Sequence, residues 1–395
     1  MQAKQVLHKV LQGTCSDMHK ARRRALTVTV MAALEGQSLT VTHLGRAIRS
    51  EAKEKHCIKR ADRLLSNRYL QAEHFHIYSS ITRWLVGSQK RPVIVVDWSD
   101  MDECKRHFLL RASIPLQGRS LTLYEEVHTI KTKEKPKTHL AFLRKLHTMV
   151  PAQCYPIIVS DAGFRTPWFK QVRSFGWDWV GRVRNRDWTE LAGRWMACKS
   201  LYAGATPTPR SLGEVRLTKR HAMACRLLLY REKPKGRIHL TRFGERARSG
   251  HSRKHARAQR EPWLLATSLA DGAGLARKVV KIYRLRMQIE EAFRDLKSTR
   301  FGLSLELHLA YQVQRLQVLL LIATLALLVA WLIGKATELT GQHRQYQANT
   351  VKNRTVLSTI FIGLRVIDDP RVTLRLANVV AAYQRLLNEV AGNCH

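Results

Sequence analysis

The pattern of apolar and polar positions divides the chain into three regions. In the first and last regions apolar residues recur at helical spacing, whereas the middle region alternates short β-branched runs with helical segments. Strands alternating with helices are typical of a mixed sheet covered by helices. The chain is therefore expected to be of the α/β class, with a helical region at 1–88, an α/β domain at 89–304 and a second helical region at 305–395.

The first region is rich in Lys and Arg. The segment MHKARRRALTVTVMAALEG predicts a helix that ends at Gly36, and Ser38 is placed to cap the next helix. Short basic helices joined by tight turns are typical of a helix-turn-helix-like DNA-binding domain. The pattern is loose, so a plain helical cap with solvated cations is the alternative interpretation.

The middle region contains two predicted buried strands that each end in an aspartate. The run PVIVVDWSD predicts a strand with Asp97 at its end, and YPIIVSDAGF has Asp161 in the same place. Between them, FLLRASIPLQGRSLTLYEEVHT predicts a hairpin. Ligands of open α/β sheets bind at the carboxyl ends of strands, so the two aspartates are expected to converge. A strand-end Asp is also common as a plain cap, and Asp97 has acidic neighbours that compete for its role: Asp100, Asp102 and Glu103.

A third carboxylate lies on a predicted helix from Lys281 to Ser298, KIYRLRMQIEEAFRDLKS. Five side chains fall within roughly 80° of one another on the helical wheel: Tyr283, Arg286, Glu290, Arg294 and Lys297. One carboxylate among cations suits a helix that handles a phosphate backbone beside a metal ion. The alternative is a solvated surface helix in which Glu290 pairs with Arg294.

The three carboxylates Asp97, Asp161 and Glu290 would need a cation to stay ionised close together. Since no His or Cys joins them, they favour a hard ion, Mg²⁺ or Mn²⁺. With phosphate as the substrate, two such ions would activate the attacking oxygen and stabilise the leaving one.

The charge of the chain points to nucleic acid as its partner. Lys and Arg number 68 against 30 Asp and Glu, a formal charge of +38, and counterion release favours phosphate binding by so basic a surface. The basic segment from Arg231 to Arg260 is expected to be disordered in isolation or ordered by a phosphate backbone. The seven cysteines form no CxxC pair, which indicates a reducing compartment.

The longest apolar run, Val318 to Ile333, is shorter than the roughly 20 residues that a membrane span needs. It is expected to be a buried core helix, with a membrane span as the less favoured alternative.

The spacing Y-x2-R-x3-E-x6-K, formed by Tyr283, Arg286, Glu290 and Lys297, resembles the Tyr-Arg-Glu-Lys signature of bacterial DDE transposases in the insertion-sequence-four family. Six ordered blocks extend the resemblance along essentially the whole chain: VVDWSD, LRASIPLQGRSLTLYE, IVSDAGF, EPWLLATSL, RMQIEEAFRDLKS and QANTVKNRTVLST. The four-residue signature alone is short enough to arise by chance, but six blocks in order are highly specific.

The resemblance implies an RNase H-like catalytic core interrupted by a β-rich insertion at about 187–270, flanked by N-terminal and C-terminal helical regions. It implies a metal-binding triad made of Asp97, Asp161 and Glu290. The implied contacts to phosphates near the cleaved end are Tyr283, Arg286 and Lys297. Arg294 lies outside the signature and is a further candidate contact only because it shares their face of the helical wheel. Trp263 corresponds to the aromatic that stacks on a flipped base, and a core indole is its alternative.

The resemblance further implies cut-and-paste transposition through a DNA hairpin, by a homodimer that binds two transposon ends and then target DNA. The apolar C-terminal segments 311–333 and 372–391 are candidates for the dimer interface. The expected location is the bacterial cytoplasm, with the nucleoid and without a membrane. Two alternatives are an RNase H-like nuclease or resolvase that cleaves without joining, and a DNA-binding protein that has lost catalysis.

Overall fold

The computed structural model describes residues 3–15, 17–184, 187–233, 245–246, 248–250, 261–351, 354–369 and 371–393. Most of the basic segment from Arg231 to Arg260 lies outside the described residues. The chain forms two compact units, the first made of Met1–Pro156 and Arg286–His395 and the second of Ile157–Leu285.

The first unit begins with five helices, continues with three strands and adds a sixth helix. The elements are α1 (Ala3–Thr14), α2 (Lys20–Gly36), α3 (Val41–Ala47), α4 (Glu54–Leu65), α5 (Arg68–Val86), β1 (Val93–Asp100), β2 (His107–Pro115), β3 (Ser120–Thr129) and α6 (Pro136–Met149). The strands pair antiparallel in the order β3-β2-β1, which confirms the predicted hairpin. The cap of α3 is Thr40, whose side chain accepts from His43 N, so the prediction of Ser38 as the cap is wrong.

The second unit contains seven strands and two helices within its described residues. They are β4 (Ile157–Ser160), α7 (Thr166–Ser174), β5 (Asp178–Val183), β6 (Trp188–Leu191), β7 (Arg194–Ala197), β8 (Arg210–Leu217), β9 (Met223–Tyr230), β10 (Trp263–Thr267) and α8 (Leu275–Arg284). Strand order is β4-β5-β10-β9-β8-β6-β7. The β4–β5 pair is parallel and the other pairs are antiparallel. The sheet is therefore mixed, and the predicted α/β class is confirmed.

The first unit resumes with four more helices: α9 (Met287–Lys297), α10 (Val313–Leu339), α11 (Thr359–Ile367) and α12 (Leu376–Gly392). By length and composition α10 could cross a membrane, but 94% of its most apolar window is buried inside the protein. It packs against α2, α5, α11, α12 and β3. The prediction of a buried core helix is confirmed, because this apolar surface is covered by the unit's own elements.

The predicted single helix from Lys281 to Ser298 is two helices. Leu285 and Arg286 separate α8 from α9 while keeping helical backbone angles. The Leu285 N–H bonds to the Ile282 carbonyl, three residues back, so the regular i→i−4 ladder is interrupted. A run of good helix formers does not reveal such a break.

Candidate active site

Asp97 lies inside β1, since the strand continues to Asp100, and the prediction that it ends the strand is wrong. Four buried apolar residues precede it and anchor the strand in the core. Its side chain is 12% exposed. Asp97 Oδ1 accepts from the backbone N–H of Trp98 at 2.8 Å, which leaves Oδ2 directed to another partner.

That partner is Arg286, which links two of the predicted site carboxylates. Arg286 Nη1 donates to Asp97 Oδ2 at 3.0 Å, and Nη2 lies 2.7 Å from Glu290 Oε1. Arg286 is 15% exposed and Glu290 is 44% exposed. Glu290 thus pairs one turn back along the helix, not with Arg294 as the surface-helix alternative required. Within the first unit, Asp97 and Glu290 converge on one cationic group.

Two of the three acidic neighbours of Asp97, Asp100 and Asp102, have structural partners. Asp100 pairs with Lys133 at 3.4 Å and Lys105 at 3.8 Å. Asp102 accepts the backbone N–H groups of Arg106 and His107 at 3.1 and 3.2 Å and so closes the β1–β2 turn. Glu103 is exposed. Asp97 also has an ion-pair partner, so its choice over these neighbours remains a prediction.

Asp161 belongs to the second unit and directly follows β4, as the sequence predicts. Its Oδ1 accepts from the backbone N–H of Gly163 at 2.8 Å. This is the local turn contact of an aspartate at the end of a strand. The convergence of Asp161 with Asp97 remains a prediction.

Trp263 begins β10 and is part of an aromatic cluster in the second unit. Its ring meets the rings of Tyr283 and Tyr230 edge-on, with centroids 5.1 and 5.7 Å apart. Arg284 Nη2 donates to the Tyr230 hydroxyl at 2.6 Å. The indole is only partly buried, so it is not a fully enclosed core residue. Tyr283, which the sequence groups with Glu290, has its ring against Trp263.

The two remaining predicted DNA contacts lie on α9. Burial lowers the pKa of Lys297, while the nearby carboxylates Glu306 and Asp100 act in the opposite sense. Arg294 pairs with Glu291 at 2.7 Å and is well exposed. Both cations remain predictions as phosphate contacts.

A buried ion pair next to this site was not anticipated from the sequence. Arg111 of β2 and Glu125 of β3 are each 1% exposed, and Arg111 Nη2 lies 2.6 Å from Glu125 Oε2. The available signal was a charged residue inside each apolar strand, in FLLRASI and LTLYEEV. Burial of a charge requires a partner, and a partner in a neighbouring strand depends on the register.

The donor chemistry fits a divalent cation in part. Asp97 and Glu290 supply carboxylate oxygens, the ligands preferred by Mg²⁺ and Mn²⁺, and both already contact one guanidinium. Among the residues that the structure describes, no three His, Cys, Asp or Glu side chains are grouped closely enough to hold a metal ion. The three-carboxylate metal site is therefore still a prediction.

A family model described as the transposase DDE domain matches residues 88–329. A comparison with curated proteins gives no significant match. The matched range includes Asp97, Asp161 and Glu290 together with the mixed α/β elements that carry them. Because the match covers more than half of the chain, the protein belongs to the transposase DDE family and is a DDE transposase, a metal-dependent enzyme that cleaves and transfers DNA strands.

Proposed function

We propose that the protein is a cut-and-paste transposase of the insertion-sequence-four family, similar to the transposase of insertion sequence ten. Support comes from the Tyr-Arg-Glu-Lys spacing, the six ordered sequence blocks and the DDE domain match. The observation that carries the proposal is the convergence of Asp97 and Glu290 on Arg286. It joins two members of the expected triad to a member of the family signature.

In this proposal Asp97, Asp161 and Glu290 would hold Mg²⁺ or Mn²⁺, with two ions in the active complex. The ions would supply activation of the attacking oxygen and stabilisation of the leaving oxygen. Arg286 neutralises Asp97 and Glu290 in the free protein and turns to a DNA phosphate when the site is loaded. Its planar guanidinium suits both partners, because carboxylate and phosphate each accept two parallel hydrogen bonds.

The DNA end is held by the cations of α9 and by the aromatic cluster of the second unit. Lys297 and Tyr283 contact phosphates near the cleaved bond, and Arg294 provides a further contact once Glu291 releases it. Trp263 stacks on a base turned out of the duplex, an interaction that every base face allows. The edge contacts from Tyr230 and Tyr283 support this use, because they hold the indole in place.

The reaction is a series of phosphoryl transfers. Water attacks the phosphodiester at the transposon end and releases a 3′-hydroxyl. This hydroxyl attacks the opposite strand, which closes the transposon end as a hairpin and frees the flanking DNA. A second water opens the hairpin, and the 3′-hydroxyl then attacks a target phosphodiester and joins the two DNAs. Hairpin formation strains the last base pairs, and the flipped base relieves that strain.

The domains take the roles expected from the sequence. Residues 1–88 bind the terminal inverted repeats, and 89–304 form an RNase H-like core with the insertion at about 187–270. Residues 305–395 support a homodimer that holds two ends. Since α10 is buried in its own unit, the dimer surface would involve α12, where Leu376 and Val380 are exposed. The protein acts on the nucleoid in the bacterial cytoplasm.

Glu290→Ala tests the site assignment. The full-length variant should cleave a plasmid carrying the flanking inverted repeats about 10³-fold more slowly, since the site loses a ligand of the metal ions that stabilise transition-state charge. Binding of the same repeats, followed by gel shift, should be largely retained.

The matched control is Glu291→Ala, which removes the adjacent carboxylate that pairs with Arg294. It should cleave at nearly the wild-type rate. Full activity of Glu290→Ala would overturn the assignment. Cleavage without products joined to target DNA would instead support the nuclease or resolvase alternative.

A further inference from the structure

Three charged side chains form a row across the strands of the first unit. The strand register pairs Asp97 of β1 with Arg111 of β2, and Arg111 with Glu125 of β3. Directly opposite residues of antiparallel strands project from the same face of the sheet. The functional carboxylate therefore shares its face with a fully buried ion pair, in which Arg111 Nε donates to Glu125 Oε2 at 2.7 Å.

The second oxygen of Glu125 is held by two helices. Tyr78 of α5 and Thr324 of α10 donate their hydroxyls to Oε1 at 2.7 and 2.8 Å. Burial, reinforced by the Glu125 carboxylate, raises the pKa of Tyr78, so its hydroxyl stays a donor. Both oxygens of Glu125 are thus hydrogen-bonded. Side chains from β2, β3, α5 and α10 together fix the direction of this carboxylate toward Arg111.

The helix that carries Glu290 is seated on this row. The Arg111 guanidinium lies 5.1 Å from the centroid of the Phe293 ring, one turn after Glu290 on α9. A second contact to α9 is made by Asp295, two residues after Phe293, whose Oδ2 accepts from Arg119 Nε at 2.6 Å. Arg111 therefore contacts Glu125 of β3 on one side and the Phe293 ring of α9 on the other.

Burying an ion pair at this position costs desolvation free energy. Taking two charges out of water costs more than placing apolar residues of similar volume there, and such replacements are often neutral or stabilising. What the ion pair supplies is a fixed geometry, because its hydrogen bonds specify distance and direction where apolar contacts do not.

We propose that Arg111 and Glu125 are positioning residues that set the separation of the Asp97 and Glu290 carboxylates and so the affinity of the site for a divalent cation. This inference rests on the proposed assignment of Asp97 and Glu290 as metal ligands. Neither Arg111 nor Glu125 touches the cation or the DNA. They act through the strand that carries Asp97 and through the Phe293 contact of the helix that carries Glu290.

The test is Mn²⁺ binding by the full-length double variant Arg111→Met with Glu125→Gln. The change removes both charges together, and Gln keeps an acceptor oxygen for Tyr78 and Thr324. Titration followed by the electron paramagnetic resonance of free Mn²⁺ should give an affinity about tenfold weaker than that of the wild type, the usual order for loss of a group that orients metal ligands. The urea midpoint of the metal-free protein should stay close to the wild-type value.

The matched control is Lys145→Met with Glu126→Gln. This pair, 2.8 Å apart, is also formed by a buried carboxylate of β3, but that carboxylate follows Glu125 directly and projects from the opposite face. Its loss should leave Mn²⁺ affinity unchanged. A second variant, Phe293→Leu, removes only the ring over Arg111 and should weaken Mn²⁺ binding severalfold even if the double variant does not fold.

Wild-type Mn²⁺ affinity in the folded double variant, or in Phe293→Leu if the double variant does not fold, would overturn the inference. The variants Asp97→Ala and Glu290→Ala separate this failure from that of the proposed function. If they bind Mn²⁺ as well as the wild type, the metal-ligand assignment itself is wrong.

Discussion

At the scale of single residues, the candidate site depends on Arg286. The sequence signature predicts a cation near the DNA end at this position, but only the structure gives its partners. It bridges Asp97, which is 189 residues away along the chain, and Glu290, one helical turn away. One guanidinium thus offsets the repulsion between two carboxylates that are brought together at the same point.

Substitution of Arg286 by Gln should destabilise the metal-free protein by about 1–3 kcal/mol, because the largely buried Asp97 loses its charged hydrogen-bond donor. Mn²⁺ should stabilise this variant more than the wild type, since a bound cation replaces the lost positive charge. Thermal unfolding in EDTA and in Mn²⁺ measures both effects.

Arg294→Gln is the control for Arg286→Gln. Its partner is Glu291 on the exposed side of the same helix, and surface ion pairs contribute at most about 1 kcal/mol. If Arg286→Gln and Arg294→Gln unfold alike in EDTA and respond alike to Mn²⁺, Arg286 does not hold the two carboxylates.

At the scale of elements, the core of the first unit depends on a close crossing of α10 and α11. A Cβ added to Gly334 would lie 1.8 Å from the Thr359 carbonyl oxygen, and one added to Gly363 would lie 1.8 Å from the Ala330 carbonyl oxygen. The backbones of the two helices are therefore in contact at both glycines. Since α10 also packs on β3, the crossing supports the sheet that carries Asp97.

Gly363→Ala should destabilise the protein by about 3 kcal/mol, because a backbone carbonyl cannot move away as a side chain can and the helices must separate. Gly13→Ala is the control in a helix end where an added Cβ meets nothing within 4 Å. It should be neutral or stabilising by up to about 1 kcal/mol, through helix propensity alone. Urea unfolding of both variants measures the difference, and equal midpoints would show that the crossing is loose.

At the scale of the whole molecule, the net charge governs the interaction with DNA. With a formal charge of +38, the Lys and Arg side chains repel one another in the free protein. DNA phosphates offset that repulsion, and the counterions of the DNA are released on binding. The ion pairs of the site use only a few of the 68 cations. The excess therefore serves binding along the DNA backbone and not the chemistry at one phosphate.

Binding of the full-length protein to a labelled random-sequence duplex should weaken by about 10³-fold or more between roughly 50 and 200 mM salt. Fluorescence anisotropy gives the slope of log affinity against log salt concentration. A shallow slope would indicate few phosphate contacts and would contradict the role assigned to the excess of cations. A neutral-polymer control of matched viscosity should show no binding at any salt concentration.

Features that depend on local pattern could be predicted from the sequence. The α/β class, the hairpin of β2 and β3, the strand before Asp161 and the core helix α10 follow from apolar periodicity and turn residues, because these act over a few neighbouring positions. The family signature likewise lies within one short segment. These features could be read without knowing which elements meet in space.

The fold sets the contacts between distant segments. It placed Asp97 inside a strand instead of at its end, interrupted the signature helix at Leu285 and Arg286, and joined Tyr78, Arg111, Glu125 and Thr324 in one buried network. Register and helix docking set these contacts, and they depend on the packing of the whole unit. A charged residue inside an apolar strand indicates that a buried partner exists, but only the fold shows which residue that partner is.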